Sequence, residues 1–454
     1  MITAEKSRNA LWGPQRRTFT AGLVLVITLV AFEAMGLGTA LPTIVAELQA
    51  QHWYAWPFTV FMAASAVGTV LGGRQCDRRG PALPLLVALQ TFAAGLLVAT
   101  AATNILVLLV ARVLQGLGGG ALIVSLYVMI ARVYPEEHRP AAFGVLSSAW
   151  VVPALVGPVI AGFLTEQVSW RWVFLGLAPL VVVGTAMIAP TVRRLGAGVG
   201  EPSPQRPGVL VAAVGAAGGV VAVNWAAQTP SLPSLFLGIA AVAVLVPSMR
   251  VLLPKGTLLA RPGLPVMVLA RGLLAGLFFT AQAFVPLVLT LVHHYSPTAA
   301  GVPLTVGTLG WTAGALWQGR QRDVRREHVV AAGFLLLAVG MAGLALTTPS
   351  WGPHWLVFAF WFTAGSGMGV GIASTSVRVL ALSPEGERGF NSAALQIADM
   401  LGQAALVGLG GVVVSALATA AAPTRGVVPL DLALLVAALL AAALMVRAGR
   451  HQPR

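Results

Sequence analysis

Residues 72–81 read GGRQCDRRGP, and residues 319–323 read GRQRD. The first stretch sets Arg74, Asp77, Arg78 and Arg79 almost side by side in a chain that is only 9% charged. Its central GRQCD, at 73–77, returns as GRQRD at an offset of 323 − 77 = 246. Two further matches share nearly that offset: PEEHR at 135–139 with PEGER at 384–388 (384 − 135 = 249), and GLGGGA at 116–121 with GSGMGV at 365–370 (365 − 116 = 249). Three matches at one spacing mean that the chain is built from two parallel copies of one unit.

The composition says what that unit is made of. The chain is 454 residues long and 57% hydrophobic. A soluble domain of this size needs a mostly polar surface, so lipid must be part of the solvent. A transmembrane helix takes about 20 predominantly apolar residues. Six such runs come first, at 20–40, 54–73, 83–102, 105–128, 143–164 and 172–190. A polar linker, TVRRLGAGVGEPSPQRP at 191–207, precedes two shorter runs at 208–226 and 235–251. After PKGTLLARPG at 254–263 come six more, at 267–291, 302–319, 329–346, 356–379, 391–414 and 430–446. The expected fold is an all-α polytopic membrane protein of fourteen spans. Two six-helix repeats (1–206 and 262–454) would flank two inserted helices (207–261). The first run has full spanning length and no A-x-A-like site after it, so it is read as a span and not as a cleaved signal.

Charge orients the spans. There are 28 Lys and Arg against 14 Asp and Glu. With the N-terminus inside, 24 of the 28 fall on the cytoplasmic side, Arg171 and Arg425 fall outside, and Arg112 and Arg271 fall within spans. This bias places both termini in the cytoplasm of a cell bounded by a plasma membrane. It also accounts for the net charge of +14 without nucleic acid. The single Cys76 excludes internal disulfides and is read as a small loop residue. No His/Cys cluster suits a metal, no glycine loop followed by Lys suits a nucleotide, and no hydrophilic stretch is long enough for an enzyme domain. No cofactor is expected.

Parallel six-helix repeats describe a known class of secondary transporter. The sequence resembles the major facilitator superfamily, and within it the fourteen-helix drug:proton antiporters. GRQCDRRG at 73–80 is similar to that family's G-x-x-x-D-R-x-G loop between helices 2 and 3. RVLQGLGGG at 112–120 matches its R-x-x-x-G motif, GPVIAG at 157–162 its antiporter motif, and SWRWVF at 169–174 its aromatic start of helix 6. The sequence departs from the pattern in PALP at 81–84, where a basic pair is usual, and in Pro153 and Ala161, where glycines are usual. GRQRD is also followed by VRRE and not by R-x-G. The resemblance implies a monomeric exporter working by alternating access, with a small molecule and protons as its partners.

Site residues follow from both lines of reading. Acids inside lipid spans are costly and usually functional. Glu33 lies about 20 Å into the first span and Asp399 about 12 Å into the thirteenth, at 1.5 Å per residue. At offset 249 Glu33 corresponds to Gln282, which keeps the second repeat polar but uncharged there (33 + 249 = 282). Arg112 is a third embedded charge, to which the resemblance gives a part in proton transfer. Arg271, one turn into its span, reads as a snorkelling residue. Gly73, Asp77, Arg78 and Gly80, with Asp323 in the second copy, form the expected gating loop. Gly73 and Gly80 would turn the chain, and Asp77 would cap a helix or pair with an arginine. Gly157, Pro158 and Gly162 are the expected kink and close-packing surface of the fifth span. The aromatic stretches around 52–56 and 351–355 read as interfacial belts. Two functions share all of these features: proton-coupled export of hydrophobic or cationic drugs or metabolites, and export or flipping of an endogenous lipid or amphiphile.

The charge bias makes a direct prediction. A Ser203→Cys protein on a Cys76-free background should resist a membrane-impermeant thiol reagent in intact cells and react with it in inverted vesicles. Labelling of intact cells would reverse the topology.

Overall fold

The computed structural model describes residues 11–13, 16–195, 208–321, 324–384, 387–419 and 422–450. Among these residues regular structure is helical, apart from one isolated bridge between Thr419 and Ala422. Lipid offers no hydrogen bonds to the backbone, so each crossing segment must satisfy its own, and the helix does so. The helices are α1 (Arg17–Glu47), α2 (Trp56–Arg79), α3 (Ala82–Thr100), α4 (Ile105–Val133), α5 (Arg139–Ser148), α6 (Val151–Gln167), α7 (Arg171–Leu175) and α8 (Ala178–Leu195). They continue with α9 (Val209–Gln228), α10 (Leu232–Leu252), α11 (Leu264–Leu291), α12 (Pro297–Gly319), α13 (Arg326–Thr347), α14 (Val357–Leu382), α15 (Arg388–Leu417) and α16 (Val427–Arg450).

Among the described residues, thirteen helical segments are long and apolar enough to cross a membrane. With α12 they make the expected fourteen. α12 has 23 residues and no charge, but five glycines and four threonines lower its hydropathy. The expected fifth and sixth spans are each broken into two helices, α5/α6 and α7/α8. Pro153 and Pro179 lie in the first turns of α6 and α8, where proline is tolerated because that N–H has no partner within the helix. Most helices also outrun their apolar runs: α1 has 31 residues and α15 has 30. Hydropathy marks the part of a helix in contact with lipid, while the backbone ladder continues into the interface.

The chain forms two compact units. Unit 1 comprises residues 1–48 and 64–210, and unit 2 comprises 49–63 and 211–454. In unit 1, α1 packs on α6 and α8, and α3 packs on α4 and α8. Glycines bring α2 against α4: Gly68 faces Leu117, and Gly120 faces Ser65. In unit 2, α11 packs on α15, α12 on α14, and α13 on α14 and α16. Counted as spans, the pairs 1–5, 2–4, 3–4 and 3–6 of unit 1 recur as 9–13, 10–12, 11–12 and 11–14 of unit 2.

Unit 2 also holds the start of α2 and the inserted α9. Trp53, Trp56 and Trp225 pack ring against ring at 5.4–5.8 Å between centroids. The Trp56 indole donates to Gln228, and Gln228 Nε2 donates to the His52 carbonyl at 2.6 Å. Trp56 is therefore buried and tied down, unlike the belt residue expected of it. Trp351 and Trp355 are 76% and 63% exposed, as belt residues should be. α10 turns Leu235, Phe236 and Ile239 outward, each at least 58% exposed, a surface that suits lipid contact.

Helix association in lipid depends on close packing more than on a hydrophobic drive. At Gly118 of α4 an added Cβ would lie 2.6 Å from the Phe92 amide nitrogen and 2.8 Å from the Ala88 carbonyl of α3. Gly118→Ala should gain about 1 kcal/mol of helix propensity but lose on the order of 1–3 kcal/mol to overpacking against backbone. Its thermal unfolding midpoint in detergent should fall. Gly218→Ala in α9, with nothing within 4 Å, should hold or raise the midpoint.

Candidate functional site

Among the described residues of unit 1, the buried charged side chains, Glu33 and Arg112, meet at one place. α1 delivers Glu33, which is 0% exposed, and α4 delivers Arg112 at 1%. Gln115, also 0% exposed, stands three residues after Arg112 and so shares its face of α4. Arg112 Nη1 donates to Glu33 Oε1 and to Gln115 Oε1, the latter at 2.7 Å. Glu33 Oε2 and Gln115 Nε2 have no hydrogen-bond partner among the described residues. Gly95 of α3 leaves room for Gln115, whose Cγ would lie 2.7 Å from a Cβ added at that position.

The antiporter motif walls the same place. Gly157 of α6 faces Met35 and Phe32 of α1, at 3.6 and 3.7 Å from its virtual Cβ. Gly36 similarly faces Ala161 at 2.9 Å. Pro158 and Gly162 are buried in the same helix. The motif therefore lets α6 lie close against α1 on both sides of Glu33.

Energetically the cluster is poised. Burying each ion costs several kcal/mol, which the mutual attraction only roughly offsets. Removing one partner from a buried pair typically costs 3–5 kcal/mol, because it strands a charge. The carboxylate form of Glu33 and the Arg112 contact support one another, and protonating Glu33 would weaken that contact while the Arg112 bond to Gln115 remains.

Unit 2 has a different arrangement. Arg271 of α11 donates Nε and Nη2 to Asp399 Oδ2 of α15, at 2.9 and 2.7 Å. Its Nη1 donates to the Ile372 carbonyl at 3.1 Å and to the Ser376 hydroxyl at 3.0 Å, both on α14. Arg271 is thus a fork joining α11, α14 and α15, which corrects its reading as a snorkelling residue. Asp399 Oδ1 has no hydrogen-bond partner among the described residues. The side chains are 14% and 20% exposed, so this pair is less enclosed than Glu33–Arg112. Gln282 is half-buried on α11, 11 residues beyond Arg271 and about 16 Å along the helix, so it does not join the pair.

The expected gating loop is mostly helix. α2 runs through Gly73, Cys76, Asp77 and Arg78 to Arg79, because basic residues suit the C-terminal end of a helix. Gly73 therefore does not turn the chain. Gly80, at φ +72°, does, in the left-handed region that a side chain rarely adopts. Cys76 is buried within the helix, not in a loop, and its thiol donates to Ser125 Oγ at 3.4 Å. No hydrogen bond or ion pair joins Asp77 to another described residue, so the expected cap or arginine pairing is not present. Arg78 is exposed, and Asp323 lies outside the described residues.

Sequence reasoning missed three groups. Gln115 was legible as the i+3 neighbour of Arg112. Buried Glu327, in the first turn of α13, accepts from Arg378 Nε of α14 at 2.7 Å. Asp431 of α16 is 2% exposed and accepts from Thr348 Oγ1 at 3.3 Å. Both acids sit at the margins of apolar runs, where a hydropathy window averages them away. The SWRWVF stretch supplies a clasp: Trp170 Nε1 and Arg171 Nη1 each donate to Glu47 at 2.6 Å, with Arg171 lying 4.3 Å over the Trp170 ring.

Comparison with known proteins agrees with this architecture. The family model of the Major Facilitator Superfamily matches residues 23–405. A probable multidrug-efflux transporter of Mycobacterium tuberculosis is 28% identical over 402 residues, covering 83% of each chain. An uncharacterized MFS-type transporter of the same organism is 29% identical over 415 residues, covering 86% of this chain and 57% of its own. Among solved structures, a bacterial homolog of the human lysosomal transporter Spinster, inward-facing and unoccupied, superposes with TM-score 0.68 at 16% identity over 96% of this chain and 98% of its own. A peptide transporter in complex with alafosfalin gives TM-score 0.69 at 18% identity over 95% of both chains. The chain belongs to the Major Facilitator Superfamily and is a transporter, not an enzyme.

Proposed function

We propose that this protein is a proton-coupled exporter of hydrophobic or cationic small molecules, working by alternating access in the plasma membrane of a bacterium with both termini in the cytoplasm. The observation that carries the reading is the sealed Glu33–Arg112–Gln115 cluster behind the antiporter motif. A carboxylate with one oxygen on an arginine and the other unpartnered can exchange its arginine contact for a proton. Arg112 then keeps Gln115, so the deprotonated and protonated states each retain a hydrogen-bonded arginine. A cation reaching Glu33 would compete with both, which is the condition for antiport. The basic bias toward one face supports the orientation. Relatives named as probable multidrug-efflux transporters support the direction of transport.

One observation favours the lipid or amphiphile reading. A groove of about 300 Å³ between α2, α3 and α4 has an apolar wall of Leu83, Val87 and Leu117, with Gln75 and Arg79 also lining it. An acyl chain with a polar head suits such a surface.

Proteoliposomes holding a pH gradient separate the two. Uphill movement of a fluorescent cationic dye, with substrate-induced proton release, is the expected result. Movement of a labelled lipid without dye flux would favour the second reading. Glu33→Gln should lower gradient-driven dye transport to the level of empty liposomes while sparing exchange without a gradient, because glutamine still accepts from Arg112. Wild-type proton release by that variant would move the carrier elsewhere, with Asp399 next in line.

Asp77→Asn should cut efflux to a small fraction at wild-type membrane abundance, through loss of the proposed gate at the end of α2. Normal efflux would remove Asp77 from the cycle.

A further inference from the structure

A second buried carboxylate lies outside the Glu33 cluster. Asp431 stands in the first turns of α16, 2% exposed, and has no ion-pair partner among the described residues. It lines a small cavity of about 20 Å³, room for a single water, between α11, α13, α14 and α16, whose other walls include Phe284, Val288, Leu289 and Leu344. The Thr348 hydroxyl and the N-terminal end of α16 suit the carboxylate. The apolar walls suit the neutral acid. Both protonation states therefore have a reason to exist here, and the cavity is a place a water could enter.

Polar side chains cover the same end of the unit. The turn after α11 folds back on its own helix, with Tyr295 N–H donating to the Leu289 carbonyl at 2.9 Å and His294 at φ 56°. It sets His293 Nε2 2.8 Å from the carbonyl of Thr347, the residue next to the Asp431 donor, so that nitrogen carries the hydrogen. The His293 ring lies 4.9 Å from that of His354, and His354 Nδ1 is 2.8 Å from the Tyr295 hydroxyl. We propose that Asp431 is a proton-binding site of unit 2, reached through a cap formed by His293, His354 and Tyr295. The proposal rests on the reading of this chain as proton-coupled, but it assigns the proton a residue which that reading does not use.

The groups around the site are few. α11 and its turn bring His293, exposed His294 and Tyr295, and the segment before α14 brings His354. α13 contributes only hydroxyls here, α15 contributes no titratable group at this end, and the loop before α16 carries exposed Arg425. Burial first, then the neighbouring His354 and His294, hold the His293 imidazole below its ordinary value against the opposing Thr347 contact. The sign is clear. A histidine whose value is lowered by folding destabilises its surroundings as pH falls below the unfolded value of about 6.5. Acid thus charges the His293 ring against the burial that disfavours its charged form, and this loosens the cap it forms with the ring of His354 4.9 Å away. The cap is closed at neutral pH and opens toward the acid side.

Infrared difference spectra of the purified full-length protein between mildly alkaline and mildly acid buffer test the assignment. Asp431→Asn should lose one protonated-carboxyl C=O component, and Glu33→Gln should lose a different one. An Asp431→Asn spectrum matching wild type overturns the proposal and leaves the Glu33 reading standing. Loss of the component only in Asp431→Asn sinks the Glu33 reading and keeps this one. Should Asp431→Asn not fold, Thr348→Val must move the component to higher frequency by removing its hydroxyl donor, and no movement overturns the assignment. The double variant His293→Gln, His354→Gln should abolish the acid acceleration of proton uptake in stopped flow, and unchanged acceleration overturns the cap.

Discussion

A helix in lipid satisfies its own backbone but gains little by touching another helix, and this constraint shapes both units. Association must come from contact close enough for dispersion, so glycine-rich faces carry the packing. Gly116–Gly120 sets α4 against α2 and α3, and Gly365–Gly371 sets α14 against α12, α13 and α11. The same device in the same place in each copy explains why the strongest repeat signal lies in glycines and not in the apolar runs around them. Any apolar residue serves toward lipid, whereas only a missing Cβ permits these approaches.

Once helices pack that tightly, a charge between them has nowhere to go. Arg112 cannot reach water from its position on α4, so it is met by Glu33 and Gln115, and the glycines at 95, 157 and 36 are what let those side chains and helices fit. Arg271 solves a similar problem differently. It sits in a more open place, and one fork draws together three helices through Asp399, Ser376 and the Ile372 carbonyl. The two copies thus share a scaffold but not a charge arrangement, and Gln282, opposite Glu33 in the repeat, takes no part in the second pair.

Much of this was legible in the residues. The apolar runs fixed the number of crossings because length and hydropathy are enough to require a span. Glu33, Asp399 and Arg112 stood out because a charge in such a run is expensive. Which charge meets which was not legible, since Arg271 and Asp399 are 399 − 271 = 128 residues apart and only packing joins them. The polarity of residues 73–80 suggests a loop, yet α2 continues to Arg79. Helical ladders do not stop where lipid stops, and only Gly80, with its positive φ, ends this one.

Asp431 shows why margins matter. An acid near the end of an apolar run reads as an interfacial residue that reaches water. Here α16 starts four residues earlier, at Val427, and the turn after α11 folds over the same end. The position is near the end of its helix yet enclosed by its neighbours, a combination that only tertiary packing can produce. Glu327 follows the same logic in the first turn of α13, where Arg378 answers it directly. The contrast is chemical: one enclosed carboxylate has an arginine beside it, while the other has a threonine hydroxyl and an apolar cavity. A carboxylate can serve as a proton site only where its counter-charge is absent or can be given up, so the partner, more than the depth, decides whether an enclosed acid is able to take up a proton.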